Sequence, residues 1–126
     1  MAEQMGNSAF EGVGFIMRKQ YKLMNKDKQI GFFIEDYTDF GVKLRIELDK
    51  NLPTNEVPFT MFEFPDSDGV IDNDLSWFWV KERVVPPTRE FVEDNLREMD
   101  MSEYSPLAIF HYTQGRCGMD RCWVSV

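Results

Sequence analysis

The sequence has no long hydrophobic run, since no stretch of its 126 residues approaches the roughly 20 apolar residues that a helix needs to cross a bilayer. Residues 1–16 also lack the basic segment followed by an apolar stretch that marks a secretory signal. We therefore expect a cytoplasmic protein rather than a membrane-spanning or secreted one.

Cysteine and histidine are scarce, with Cys117, Cys122 and His111 as the full set. A structural zinc site uses four such ligands, so this set is too small for one. A disulfide closing so short a loop would add little stability, and we expect two free thiols. A soft metal site that includes His111 and Met119, or redox use of the thiols, is the alternative. A lone histidine on a helix is more often structural than a general base, because a base needs a nucleophile or an orienting partner.

Motifs of common enzyme chemistry are missing as well. The chain contains no G-x-S-x-G, no G-x-G-x-x-G, no G-x-x-x-x-G-K-[ST] and no kinase-type catalytic loop. We therefore expect a protein that is not an enzyme and that carries no cofactor and no metal.

Basic residues are few, with 14 Lys and Arg against 22 Asp and Glu, a net charge of −8. Nonspecific nucleic-acid binding needs clustered cations, so direct binding of nucleic acid is not expected. The imbalance lies in residues 61–126, where 6 basic residues face 13 acidic ones, giving −7. One candidate acidic face consists of Glu63, Asp66, Asp68, Asp72 and Asp74.

The chain has enough apolar residues to form the core of one ordered domain, since 43% of its residues are hydrophobic and 14% are aromatic. Residues 19–24, 30–34 and 42–48 predict three strands, and the polar tetrad 25–28 predicts a hairpin turn between the first two. In the third strand, apolar residues at even positions alternate with charges at 43, 45 and 47. Residues 49–70 read mostly as loop, with a short strand at 59–64.

The second half is helical in pattern. Asp72, Asn73 or Asp74 can cap a first helix that must end before Pro86 and Pro87. Residues 89–99 predict a second helix capped by Thr88, and Ser105 followed by Pro106 opens a third, which Gly115 ends. Residues 120–126 predict a last strand. The expected fold is α+β: an antiparallel meander, three short helices and a C-terminal strand, in a domain of residues 17–126 with a loosely ordered segment 1–16.

Three short segments resemble the N-terminal subdomain of HipA-like kinase toxins. They are residues 21–27 (YKLMNKD), residues 77–89 (WFW with RVVP and Arg89) and residues 115–124 (GRCGMDRCWV). The last segment is similar to the family ending G-x-S-x-x-D-x-Y-W-[IV], from which Cys117 and Cys122 depart. In that family a Ser/Thr kinase domain follows, so the resemblance implies the accessory subdomain without its enzyme.

This resemblance implies a protein that binds and restrains a kinase-toxin partner, as an antitoxin does. Aromatic and arginine side chains dominate protein interfaces, and the candidate anchors around the proline turn are Trp77, Trp79, Arg83, Pro86 and Arg89. Packing inside the domain is the alternative for the tryptophans, and simple ion pairing is the alternative for the arginines. A second hypothesis is an acidic inhibitor from a mobile element, of the DNA-mimic or anti-CRISPR type, whose carboxylates occupy a nucleic-acid-binding protein.

Overall fold

Three long antiparallel strands form the centre of the sheet in the computed structural model, which describes residues 15–87 and 92–125. The strands are β1 (Phe15–Asn25), β2 (Lys28–Thr38), β3 (Gly41–Leu48), β4 (Val70–Ile71) and β5 (Cys122–Ser125). They are arranged in the order β4-β3-β2-β1-β5, and every neighbouring pair is antiparallel. The helices are α1 (Asn73–Glu82), α2 (Val92–Glu98) and α3 (Pro106–Thr113). The predicted α+β fold with its meander, three helices and terminal strand is confirmed.

Two parts of the strand prediction differ from the structure. The predicted strand at 59–64 is wrong, because Phe59–Met61 forms a 3-10 turn in which the Met61 N–H donates to the Pro58 carbonyl. The two-residue strand β4 was not predicted. β1 begins at Phe15, earlier than the alternating pattern indicated. Residues 1–14, most of the predicted loose segment, lie outside the described residues.

The alternation in β3 predicts its faces correctly. Leu44, Ile46 and Leu48 are buried, while Lys43 and Arg45 are exposed. On the neighbouring strand, Gly31 permits a close approach of β2 to β3, since a Cβ there would lie 2.1 Å from the Glu47 carbonyl oxygen. A side chain at this position would therefore force the two strands apart.

Side-chain caps fix the starts of two helices. The Asp72 carboxylate accepts the Leu75 N–H at the start of α1, and the Ser105 hydroxyl accepts the Ala108 N–H at the start of α3. At the end of α3 it is Gln114, in the left-handed region at φ 56°, that caps the helix, and Gly115 follows with φ 73°. The predicted cap of α2, Thr88, lies outside the described residues.

The core lies between one face of the sheet and the helices. The ring of Phe33 in β2 stacks on Phe110 of α3 at 4.9 Å, and Trp79 of α1 meets Phe110 edge-on at 5.9 Å. Leu23 of β1 and Val124 of β5 are also fully buried in this cluster. Within the described residues, no helix has the length and apolar character needed to cross a membrane.

Candidate interaction surface

The three consecutive aromatic residues of α1 point in three different directions. Trp79 is buried in the core, and its indole N–H donates to the Thr60 hydroxyl at 3.2 Å. Trp77 is half-buried beside the sheet, and its indole N–H donates to the Val42 carbonyl at 3.2 Å. Phe78 lies between them in sequence and is exposed. A helix cannot turn three successive side chains toward one core, and Phe78 is the one left at the surface.

Trp77 completes the edge of the sheet. Because β4 pairs only with Ile46 and Glu47, the outer edge of β3 has further backbone groups to satisfy. The Leu44 N–H donates to the Asn73 side-chain oxygen at 2.8 Å, and the Val42 carbonyl accepts the Trp77 indole N–H. Side chains from the first half of α1 thus bond this edge in place of a strand.

Arg83 is an interior residue that joins three parts of the chain. Its guanidinium donates to both carboxylate oxygens of Asp120, at 2.6 and 2.8 Å, and to the carbonyls of Gly115 and Cys122. It also lies 4.3 Å above the ring of Trp79. All of these partners are internal, so Arg83 and Trp79 are not surface anchors, which corrects the expectation drawn from the sequence. The alternative for Arg83 was simple ion pairing, and Arg83 does form an ion pair, with Asp120.

The remaining candidate anchors lie near the end of α1. Pro86 is exposed in the turn that follows the helix. Arg89 lies outside the described residues. Trp77 is half-buried and hydrogen-bonded, and this leaves only part of its ring for a partner.

The surroundings of Asp120 set two pKa values. Burial raises the pKa of Asp120, but hydrogen bonds from Arg83, Thr60 and the Cys122 N–H outweigh it, and the net pKa lies below the usual range. Burial and the nearby Asp120 carboxylate raise the pKa of the Cys122 thiol to about 12. Both cysteines are free thiols, with Cys122 buried and Cys117 partly exposed.

The candidate acidic face is exposed, but its five carboxylates have different roles. Asp72 caps α1, and Asp66 accepts the N–H groups of Asp68 and Val70 in the turn before β4. These backbone hydrogen bonds, first from Val70 and then from Asp68, lower the pKa of Asp66. Glu63, Asp68 and Asp74 are exposed and make no ion pair within the described part of the chain.

A surface of exposed phenylalanines lies within this acidic region, and sequence reasoning missed it. Phe62 is 56% exposed and Phe78 is 52% exposed, and the ring of Phe64 meets Phe78 edge-on at 6.0 Å. Phe62 precedes Phe64 in the same turn, and we call Phe62, Phe64 and Phe78 the aromatic patch. Glu63 lies between two of its members, and Asp74, Trp77 and Lys81 line a pocket of about 630 Å³ beside Phe78. The patch is thus apolar, with two carboxylates and one ammonium beside it.

A tight turn presents Phe62 to solvent. Phe62 has φ −60° and ψ 132°, Glu63 has φ 70°, and the Phe64 N–H donates to the Met61 carbonyl at 3.0 Å. These values describe a type II turn, in which the third position normally favours glycine. Glu63 occupies that position at a conformational cost.

A second polar cluster lies under α3. The carboxylate of Glu35 is fully buried and accepts a hydrogen bond from the Tyr37 hydroxyl at 2.8 Å. His111 Nε2 pairs with the other carboxylate oxygen, and its ring meets Tyr21 edge-on. Burial, and then the hydrogen bond to Glu35, raise the pKa of Tyr37 to about 12. The expectation that His111 is a structural residue fits this pairing, which ties α3 to β2.

Within the described residues, no group of three or more His, Cys, Asp or Glu side chains is placed so that it could hold a metal ion. Comparison with protein-family models, with curated proteins and with solved structures found no match. The likeness to the HipA-type subdomain therefore stays a resemblance carried by the three quoted segments.

Proposed function

We propose that this chain is a non-enzymatic regulatory module of the cytoplasm that resembles the HipA N-terminal subdomain and binds and restrains a HipA-like kinase. The aromatic patch carries the proposal. Exposed aromatic rings grouped on one surface are typical of protein-binding sites, because their burial supplies most of the affinity of an interface. Phe62 and Phe78 each leave about half of their surface available for that burial.

The arrangement of the resembling segments supports the same proposal. Arg83 from the second segment is bonded to Gly115, Asp120 and Cys122 from the third. The turn residue Lys26, from the first segment, accepts the indole N–H of Trp123 at 2.8 Å through its carbonyl. The three motifs therefore meet in one hydrogen-bonded unit.

A direct experiment measures the activity of a HipA-like kinase from the same organism, prepared without its own N-terminal subdomain, in the presence of this chain. We expect the chain to bind the kinase and to reduce phosphorylation of its substrate. We expect the double substitution Phe62→Ala and Phe78→Ala to weaken inhibition strongly, since truncating an interface anchor costs about 2 kcal/mol or more. Phe40→Ala is the control, because Phe40 is an even more exposed phenylalanine on the turn between β2 and β3.

The acidic-inhibitor hypothesis remains as a second candidate because the five carboxylates between Glu63 and Asp74 are all exposed. Mimicry of phosphates depends on many charges acting together, so binding would weaken steeply with salt and no single residue would dominate. The sharpest variant combines Glu63→Gln, Asp68→Asn and Asp74→Asn, which leaves the turn-forming Asp66 and the helix cap Asp72 intact. If this triple variant abolishes binding while the phenylalanine variant does not, the acidic-inhibitor hypothesis is the better one.

A further inference from the structure

A second concave surface of the molecule gathers cations in a protein that is otherwise acidic. The loop between β1 and β2 meets the segment before β5, and the two enclose an open pocket of about 460 Å³. This volume lies within the range of small-molecule sites. We call it the cationic pocket, and its lining residues are Lys26, Asp27, Arg116, Cys117, Asp120, Arg121, Cys122 and Trp123.

Hydrogen bonds between the two segments fix the walls of the cationic pocket. The Lys26 N–H donates to the Arg121 carbonyl at 3.0 Å, and the Lys26 carbonyl accepts the Trp123 indole N–H at 2.8 Å. The guanidinium of Arg116 lies over the Trp123 ring at 4.5 Å. The backbone of β1 continues the contact, since Asn25 pairs with Cys122. These contacts hold the backbone of Lys26 and Arg121 and the guanidinium of Arg116 at the rim of the pocket.

The charges of this pocket are not balanced. Lys26, Arg116 and Arg121 make no ion pair within the described part of the chain. Asp120 lies in the pocket wall, but Arg83 already neutralises its carboxylate from the interior. Asp27 is then the one remaining acidic residue of the lining, against three cations. Like charges held together repel each other, and a bound anion would remove that repulsion.

We infer that the cationic pocket binds the phosphate monoester of a small molecule. Two guanidinium groups and one ammonium are the combination that best matches a phosphate, since the planar guanidinium can donate two parallel hydrogen bonds to its oxygens. The pocket is larger than a phosphate ion requires, and Trp123 and the partly exposed Cys117 also line it, so there is room for the body of the ligand. This proposal does not depend on the proposed kinase-binding surface, and either one can be wrong without affecting the other.

The test uses the full chain labelled with ¹⁵N, titrated with ribose 5-phosphate and, as a matched control, with ribose. We expect ribose 5-phosphate to shift the Trp123 indole resonance and the amide resonances of Lys26 and Arg121 in a saturable way. Ribose lacks the phosphate and should leave these resonances in place. Absence of saturable shifts with ribose 5-phosphate, or equal shifts with ribose, would overturn the assignment.

Charge-matched variants separate a specific site from general electrostatic attraction. The double substitution Arg116→Gln and Arg121→Gln should weaken binding by about tenfold or more, since each guanidinium removed takes charge-assisted hydrogen bonds with it. The double substitution Lys43→Gln and Lys50→Gln removes the same charge from exposed positions elsewhere and should leave the affinity nearly unchanged. Equal loss in the two double variants, with both folded as judged by their spectra, would contradict a phosphate site at this place.

Discussion

The guanidinium of Arg83 and the carboxylate of Asp120 form a two-point ion pair in the interior, with nitrogen–oxygen distances of 2.6 and 2.8 Å. The pair joins the end of α1 to the segment that precedes β5. Because both side chains are almost fully buried, each needs the other to offset the cost of leaving water. This relationship gives Arg83, which the sequence singled out as a candidate anchor, a structural role rather than a place in an interface.

Removing one member of this pair should destabilise the protein strongly. We expect Arg83→Met to lower the free energy of unfolding by about 3–5 kcal/mol, because it leaves the Asp120 carboxylate buried without its cation. Urea denaturation measures the change. Arg97→Met is the control, since Arg97 pairs with Asp94 at an exposed site, where such a pair contributes less than about 1 kcal/mol. A similar cost for the two variants would show that the interior pair is not important for stability.

Acid should remove part of the stability that Asp120 provides. The pKa of Asp120 is lower in the folded protein than in the unfolded chain, so its contribution is complete above about pH 4–5 and is lost as the pH falls through the folded pKa. Asp120→Asn removes the carboxylate and with it this dependence. We expect the stability difference between the parent protein and Asp120→Asn to be largest near neutral pH and to shrink below about pH 4. A difference that stays constant over this range, measured by urea denaturation at each pH, would contradict the assignment.

The two cysteines should react at very different rates. A thiol reacts as its thiolate, and the pKa of Cys122 is raised to about 12 by burial and by the nearby Asp120, whereas Cys117 is partly exposed. In a spectrophotometric assay with a disulfide reagent near pH 8, we expect one thiol to be modified rapidly and the second only after denaturation. Cys117→Ser should abolish the rapid phase. Rapid modification of both thiols in the native protein would show that β5 opens readily.

The buried Glu35 should make His111 important for stability. We expect His111→Ala to lower the free energy of unfolding by about 1–3 kcal/mol, because the buried Glu35 side chain then loses one of its hydrogen-bond partners. Tyr112→Ala, at the next and exposed position of α3, is the matched control and should change stability by less than about 0.5 kcal/mol. Thermal denaturation of the two variants is the measurement, and an equal effect would indicate that the Glu35 pairing adds nothing.

Much of this architecture could be predicted from local chemistry. The strict alternation of apolar and charged residues around Leu44 and Ile46 shows which face of β3 is exposed to solvent. The Ser105-Pro106 pair marks the start of α3. These patterns depend on residues that are close in sequence, and no distant contact overrides them in the folded protein. The burial and pairing of Arg83 could not be predicted in this way, because its partners lie more than thirty residues further along the chain.

The aromatic patch was missed for a related reason. The apolar residues between Pro58 and Pro65 resemble a short strand, since a strand also places alternate side chains on one face. The backbone instead makes a 3-10 turn followed by a type II turn, so that Met61 enters the core while Phe62 faces solvent. The two prolines were the available signal, because they disfavour a strand and favour turns.

The measurement that tests the central claim most directly is the calorimetric affinity between this chain and a HipA-like kinase from the same organism that lacks its own N-terminal subdomain. We expect saturable binding that Phe62→Ala with Phe78→Ala weakens by about thirtyfold or more, which corresponds to about 2 kcal/mol, while Phe40→Ala leaves it unchanged. Absence of binding, or an equal affinity for the patch variant and the parent protein, would contradict it.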